Sequence, residues 1–101
     1  SAEQSGWQSS HVHHQKREFY IVEQGWIVIA LRQAEQLTFR RLGPDESFML
    51  PPGLPHNVYI SEGSVLHTVK YGSADADWEA APELDEKLRH ETFDGKTFFT
   101  R

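Results

Sequence analysis

Short apolar segments separated by turn-forming residues run along this chain from about residue 10 to residue 72. The segments are rich in β-branched and aromatic residues, which favour strands, and most are bounded by turns that contain Gly or Pro. The predicted strands cover residues 18–22, 26–31, 37–42, 47–50, 57–60 and 65–71. Strands at such close, regular spacing must hide their edges, so the pattern predicts an all-β fold, an antiparallel sandwich or barrel.

The last part of the chain has a different pattern. Residues 73–77 are polar and linker-like. Pro82 is followed by early acidic and late basic residues, which predicts a short helical turn over residues 82–89. Asp94 and Gly95, flanked by Thr and Phe, predict a hairpin.

Composition narrows the classes of function. A chain of 101 residues fits one domain, and a net charge of −5 without a basic stripe argues against nucleic-acid binding. No apolar run approaches the roughly 20 residues that span a bilayer, so no membrane partner is expected. Because the chain has no cysteine, any metal must be held by nitrogen and oxygen, and a cytoplasmic location is the expectation.

Histidine and glutamate spacing predicts a metal site. On a strand, His11 and His13 point the same way, with Cα atoms about 6.6 Å apart. Glu18 has the wrong parity for the same strand, so residues 14–17 must turn the chain, which leaves His14 to solvent or to the edge of the site. His56 follows a rigid Pro-Pro-Gly turn that can aim its ring inward.

These four residues, His11, His13, Glu18 and His56, are the predicted ligands of one divalent transition metal. Neutral imidazoles and a carboxylate suit Fe, Mn, Ni, Co, Cu or Zn, and the ligands do not reveal which. The alternative is a set of surface histidines near a strand start.

The two stretches resemble the two motifs of the cupin family. The first motif is matched without a gap by the His-x-His pair, four residues, Glu18, six residues and Gly25. The second is matched by Gly43 and by residues 51–56, with a longer spacer. Gly6 lies one residue too close to the histidines, and Ile60 stands where the second motif ends in Asn. The resemblance covers residues 6–72 and implies a double-stranded antiparallel β-helix, or jelly-roll barrel, with one metal inside and assembly as a homodimer.

Only ten residues precede the His-x-His strand, where cupin barrels usually have one or two strands. We therefore predict that the hairpin around Asp94 and Gly95 supplies a missing strand, in its own subunit or in the dimer mate. The predicted organisation is a barrel over residues 1–72 and a tail over residues 73–101 that packs on the barrel or on the mate.

The favoured function is that of a small metalloenzyme that acts on an oxygen-rich small molecule, of the dioxygenase, decarboxylase or isomerase type. Tyr20 shares parity with Glu18 and is a candidate proton donor, although it could equally fill the barrel. His67 is either catalytic or structural. Arg40 or Lys70 could pair with a substrate carboxylate, or could be solvated residues on a strand face.

Two alternatives remain. One is a non-enzymatic cupin that binds or senses a small ligand. The other is a metal-free sugar-nucleotide isomerase or epimerase, in which His13 or His67 would serve as the base and Tyr20 as the acid. The Glu at ligand spacing argues against that alternative, because a metal-free site does not need it.

Overall fold

The computed structural model describes residues 4–72 and 77–93, and over these residues it contains nine strands and one helix. The strands are β1 (Gly6–Trp7), β2 (His11–His13), β3 (Arg17–Gln24), β4 (Ile27–Gln33), β5 (Gln36–Leu42), β6 (Ser47–Leu50), β7 (His56–Ile60), β8 (Val65–Tyr71) and β9 (Trp78–Ala80). The helix, α1, spans Pro82–Leu88.

The strands form two antiparallel sheets. The larger sheet has the order β5-β4-β7-β2-β9, with β1 also paired to β7, and the smaller has the order β6-β3-β8. The inner faces of the two sheets enclose a core of buried apolar side chains: Tyr20, Val22, Ile27, Ile29, Leu42, Leu50 and Val58. This arrangement confirms the predicted all-β, antiparallel barrel.

The short helix covers the outer face of the larger sheet. Pro82 stands in its first turn and Lys87 in its last, as the sequence predicts. Leu84 and Leu88 are buried against Ala30 of β4. The helix therefore closes the second side of the larger sheet, whose other side faces the barrel interior.

Two strands that the sequence analysis missed complete the barrel. β1 precedes the His-x-His strand and pairs with β7. β9 pairs with β2 along its full length, so residues between the predicted linker and the predicted helix supply the neighbour of the histidine strand within the same chain. The hairpin predicted around Asp94 and Gly95 lies outside the described residues, and exchange of the tail between subunits stays a prediction.

Across residues 4–72 and 77–93, no helix is both long enough and apolar enough to cross a membrane.

Candidate metal centre

Three strands bring the four predicted ligands together inside the barrel. β2 carries His11 and His13, Glu18 lies near the start of β3, and His56 begins β7 directly opposite His11 in the sheet register. One potential ligand atom from each residue lies within 4.8 Å of those of the other three. The group could hold a metal ion, and the structure thus assembles the set that the spacing predicts.

The three imidazole rings converge on one carboxylate oxygen. Oε1 of Glu18 lies 2.9 Å from His13 Nε2, 3.0 Å from His56 Nε2 and 3.6 Å from His11 Nε2. Glu18 and His56 are almost fully buried, and His13 is nearly so. Burial of His13, His56 and Glu18 beside the half-buried His11 is costly unless something compensates their polar atoms.

Backbone contacts orient two of the rings. Nδ1 of His11 lies 2.8 Å from the Ser9 carbonyl oxygen, and Nδ1 of His56 lies 2.9 Å from the Leu54 carbonyl oxygen. A carbonyl oxygen can only accept, so each Nδ1 carries the proton. In the neutral ring, Nε2 then presents a lone pair to the centre of the group, which is the arrangement that a metal ligand needs.

Several buried ring nitrogens in this group are left without a hydrogen bond. Within the described part of the chain, Nε2 of His11 and both nitrogens of His13 have no hydrogen-bond partner. The 2.9 Å contact between His13 Nε2 and Glu18 is close enough, but it does not have hydrogen-bonding geometry. Each unsatisfied buried group costs about 1–3 kcal/mol. A metal ion would compensate the two Nε2 atoms, so the residues present fit such an ion.

The electrostatics favour an ionised carboxylate at Glu18. Burial would raise the pKa of Glu18, but the contacts with His11 and His56 and a hydrogen bond from Tyr20 outweigh burial and hold that pKa well below its usual range. Burial lowers the pKa of His13, whereas the contact with Glu18 raises the pKa of His11. Glu18 is therefore ionised at neutral pH, as a ligand must be.

Tyr20 is held beside the carboxylate. Its hydroxyl donates a 3.0 Å hydrogen bond to Oε2 of Glu18, the oxygen that the rings do not share. Burial, and then the charge of Glu18, raise the pKa of Tyr20 far above its usual value, so the phenol keeps its proton. The ring itself belongs to the hydrophobic core. Tyr20 thus fills the barrel, as one of the two alternatives has it, and it also contacts the site. Its role as a proton donor stays a prediction.

The structure does not bring every candidate to this group. His67 lies opposite Ile21 on the outer face of the smaller sheet, where its ring is exposed and contacts Glu23 at 2.7 Å. Arg40 lies over the ring of Phe48 at 5.1 Å. His14 is exposed and contacts Glu79.

Lys70 of β8, in contrast, lies opposite Glu18 in the register and lines a cavity beside the histidines. The cavity volume is about 430 Å³. Its lining consists of Gln8, His11, Glu18, Tyr20, Val58, Ile60, Leu66, Thr68 and Lys70.

Asp77 is a site residue that sequence reasoning missed. Its carboxylate accepts hydrogen bonds from the backbone N–H groups of His14, Gln15 and Lys16, at 3.0, 2.9 and 2.8 Å. These residues form the turn that carries the chain from His13 to Glu18. An Asp is a common acceptor for turn N–H groups. Nothing in the local sequence, however, pairs it with a turn about sixty residues earlier.

Comparisons with known proteins identify the fold. No family model and no curated protein matches the chain. Among solved structures, the sugar 3,4-ketoisomerase of Thermoanaerobacterium thermosaccharolyticum, in complex with TDP, superposes with a TM-score of 0.71 at 18% identity, over 90% of this chain and 71% of that one.

Two further structures are similar. Oxalate oxidase in complex with the substrate analogue glycolate gives a TM-score of 0.66 at 20% identity, over 87% of this chain and 53% of that one. Peruvianin-I, a cysteine peptidase from Thevetia peruviana latex, gives 0.65 at 20% identity, over 77% of this chain and 50% of that one. The chain thus spans about half the length of these two proteins. The three activities differ, so the likeness identifies the fold and leaves the chemistry to the site. The chain has the cupin fold.

Proposed function

We propose that this chain is a metal-binding cupin in which His11, His13, Glu18 and His56 hold one divalent transition metal ion. The observation that carries the proposal is the convergence of three imidazole Nε2 atoms on a buried carboxylate, two of them without a hydrogen-bond partner among the described residues. The metal would be Fe, Mn, Ni, Co, Cu or Zn.

We further propose that the chain is an enzyme for an oxygen-rich small molecule, of the dioxygenase, decarboxylase or isomerase type. A bound ion would supply Lewis-acid or redox chemistry. The chain itself supplies a cavity of about 430 Å³ beside the histidines, and Val58, Ile60 and Leu66 make part of its wall apolar. Tyr20 keeps its proton and lines the same cavity, so it could donate a hydrogen bond or a proton to a bound substrate. The fold likeness to oxalate oxidase bound to glycolate supports a small oxygenated acid as the ligand.

A metal-free sugar-nucleotide isomerase is the second candidate, and the ketoisomerase likeness with TDP favours it. Of its two possible bases, His67 lies on the outer face, so only His13 lies near Tyr20 through their shared contacts with Glu18. A ligand-binding or sensing cupin would use the same cavity without turnover. Metal content separates the isomerase from the other two functions, and turnover separates enzyme from sensor.

The test is elemental analysis of protein purified without a nickel column. We expect close to one equivalent of metal in the wild type and almost none in His56→Ala. His67→Ala is the matched control, because this exposed ring lies on the outer face and its loss should leave the metal content unchanged.

His56 is buried, so His11→Asn, at a half-buried ligand, serves as a second variant if His56→Ala unfolds. Wild-type protein that is metal-free as purified and binds no added ion would overturn the proposal and favour the isomerase.

We also infer that the chain forms a homodimer through the outer face of the smaller sheet. Met49, Val69 and Tyr71 are exposed there, at 38%, 49% and 45%. Arg17 and Glu23 lie near opposite ends of β3. A second copy packed antiparallel on this face would set Arg17 against Glu23 of the partner subunit, so the charges as well as the apolar residues are self-complementary. The cytoplasmic location stays a prediction.

A further inference from the structure

Lys70 is placed to add a positive charge to the wall of the metal cavity. It lies directly opposite Glu18 across the β3–β8 pairing, and inner-face residues of the two strands line the cavity together. No carboxylate within residues 4–72 or 77–93 forms a salt bridge with Lys70 at 4 Å or less. As far as the described residues go, its ammonium group is therefore open to pairing with a ligand.

The charges around the cavity favour an anion. Among the described residues, Glu18 is the only acidic one that lines this cavity, and Lys70 is the only basic one apart from His11. A divalent ion held by the histidines and Glu18 would leave the cavity with a net positive charge. Lysine is a compact point charge that suits a carboxylate or a phosphate.

The rest of the wall limits the size and character of this anion. Val58, Ile60 and Leu66 supply an apolar surface, and Thr68, opposite Tyr20 in the register, supplies a hydroxyl group. Ligand pockets of known proteins usually hold about 300–1,000 Å³, so this cavity is at the small end. The dimensions suit a short branched acid better than a nucleotide sugar.

We propose that Lys70 is the carboxylate-binding residue of the cavity and that the ligand is a small 2-hydroxy or 2-oxo acid with an apolar side chain. The ligand's oxygen atoms lie toward the histidine group, its carboxylate pairs with Lys70, and its carbon chain contacts the apolar wall. This inference rests on the proposed function, because it takes the metal cavity as the binding site.

The test is calorimetric titration of the metal-loaded protein with 2-hydroxyisovalerate and with the uncharged diol of the same carbon skeleton. We expect Lys70→Gln to weaken binding of the acid about tenfold, as loss of a charge-assisted hydrogen bond does. Binding of the diol should not change. Lys70→Arg, which keeps the charge, should retain most of the affinity, and Lys87→Gln on the exposed side of α1 is the matched control.

The outcomes separate this inference from the metal proposal. Equal affinity of wild type and Lys70→Gln for the acid, or equal losses for acid and diol, would overturn the role of Lys70. Absence of metal by elemental analysis would instead overturn the proposed function. In that case the acid is titrated into the metal-free protein, and binding is followed by NMR chemical-shift changes. Loss of binding in Lys70→Gln alone supports the subsite. Binding equal to that of the wild type refutes it.

Discussion

At the scale of single residues, the two oxygens of Glu18 have separate partners. Oε1 contacts the three imidazoles, and Oε2 accepts the hydrogen bond of Tyr20. A hydrogen bond to the second oxygen fixes the orientation of a carboxylate ligand, and such outer contacts are worth about 10–100-fold in metal affinity. We therefore infer that Tyr20 positions Glu18 for the proposed metal.

Tyr20→Phe should therefore weaken metal binding by about 10–100-fold while the protein stays folded, because the ring that fills the core is kept. Competition with a chromophoric chelator measures the affinity. Tyr71→Phe removes a hydroxyl from the outer face, where it contacts Met49, and should leave the affinity unchanged. Equal affinities of wild type and Tyr20→Phe would show that the hydroxyl does not position Glu18.

At the scale of elements, the β2–β3 turn depends on a carboxylate from a distant part of the chain. Asp77 immediately precedes β9, and it accepts three backbone hydrogen bonds from the turn. Partial burial would raise the pKa of Asp77, but these hydrogen bonds lower it below its usual value. The residue that immediately precedes the strand beside β2 thus holds the turn between two predicted ligands.

The contribution of Asp77 to the stability of the fold should depend on pH. Because its pKa is lower in the folded protein than in the unfolded chain, its contribution is complete above about pH 4 and is lost as the pH falls through the folded-state value. Asp77→Ala should lower the Tm at pH 7 by about 5 °C, and the gap from wild type should shrink below pH 4.

Thermal unfolding of wild type and Asp77→Ala, followed by circular dichroism at several pH values, measures this difference in Tm. Asp77→Asn, whose amide oxygen can still accept, should lose less stability at pH 7. A gap between wild type and Asp77→Ala that is constant from pH 7 to pH 3 would contradict the assignment.

At the scale of the whole molecule, apolar exposure is concentrated on one face. Of the four large hydrophobic residues that are exposed in the described parts of the chain, Met49, Val69 and Tyr71 lie on the outer face of the smaller sheet, and Trp78 lies elsewhere, on β9. The larger sheet carries α1 on its outer face, whereas nothing among the described residues covers the smaller sheet in this way. A second copy of the chain is the occupant that we propose.

Light scattering after size exclusion should give a mass of twice 11.6 kDa for the wild type. Val69→Lys combined with Tyr71→Lys should shift the protein to a monomer, because it sets like charges against each other across the two-fold axis. Trp78→Lys removes an exposed aromatic residue outside this face and should stay dimeric. A monomeric wild type, or a dimeric double variant, would refute the proposed interface.

The sequence by itself determined most of the strand pattern, the short helix and the common face of His11 and His13, and it singled out Glu18 and His56 as candidates. The approach of His56 to His11 depends on the pairing of β2 with β7, whereas the other features have local causes. These depend on local rules: alternation along a strand, Pro at a helix start, and a turn between His13 and Glu18. The presence of glycine at position 25, where the first motif ends, also has a structural reason. The φ of Gly25 is +81°, which favours glycine, and an added Cβ would lie 2.9 Å from the Ser64 Cα. Whether the four residues bind metal stays a prediction.

Only the tertiary structure decided the remaining features. It placed β9 beside β2, set Asp77 on the turn, turned His67 outward, and selected Lys70 rather than Arg40 for the cavity. The physical reason is register. Which face of β8 looks into the barrel depends on its pairing with β3, about fifty residues earlier, and a shift of one residue would exchange His67 with its neighbours on the inner face. Local periodicity contains no information on pairing across that distance. The register of β8 is therefore fixed only when the two sheets pair in the folded protein.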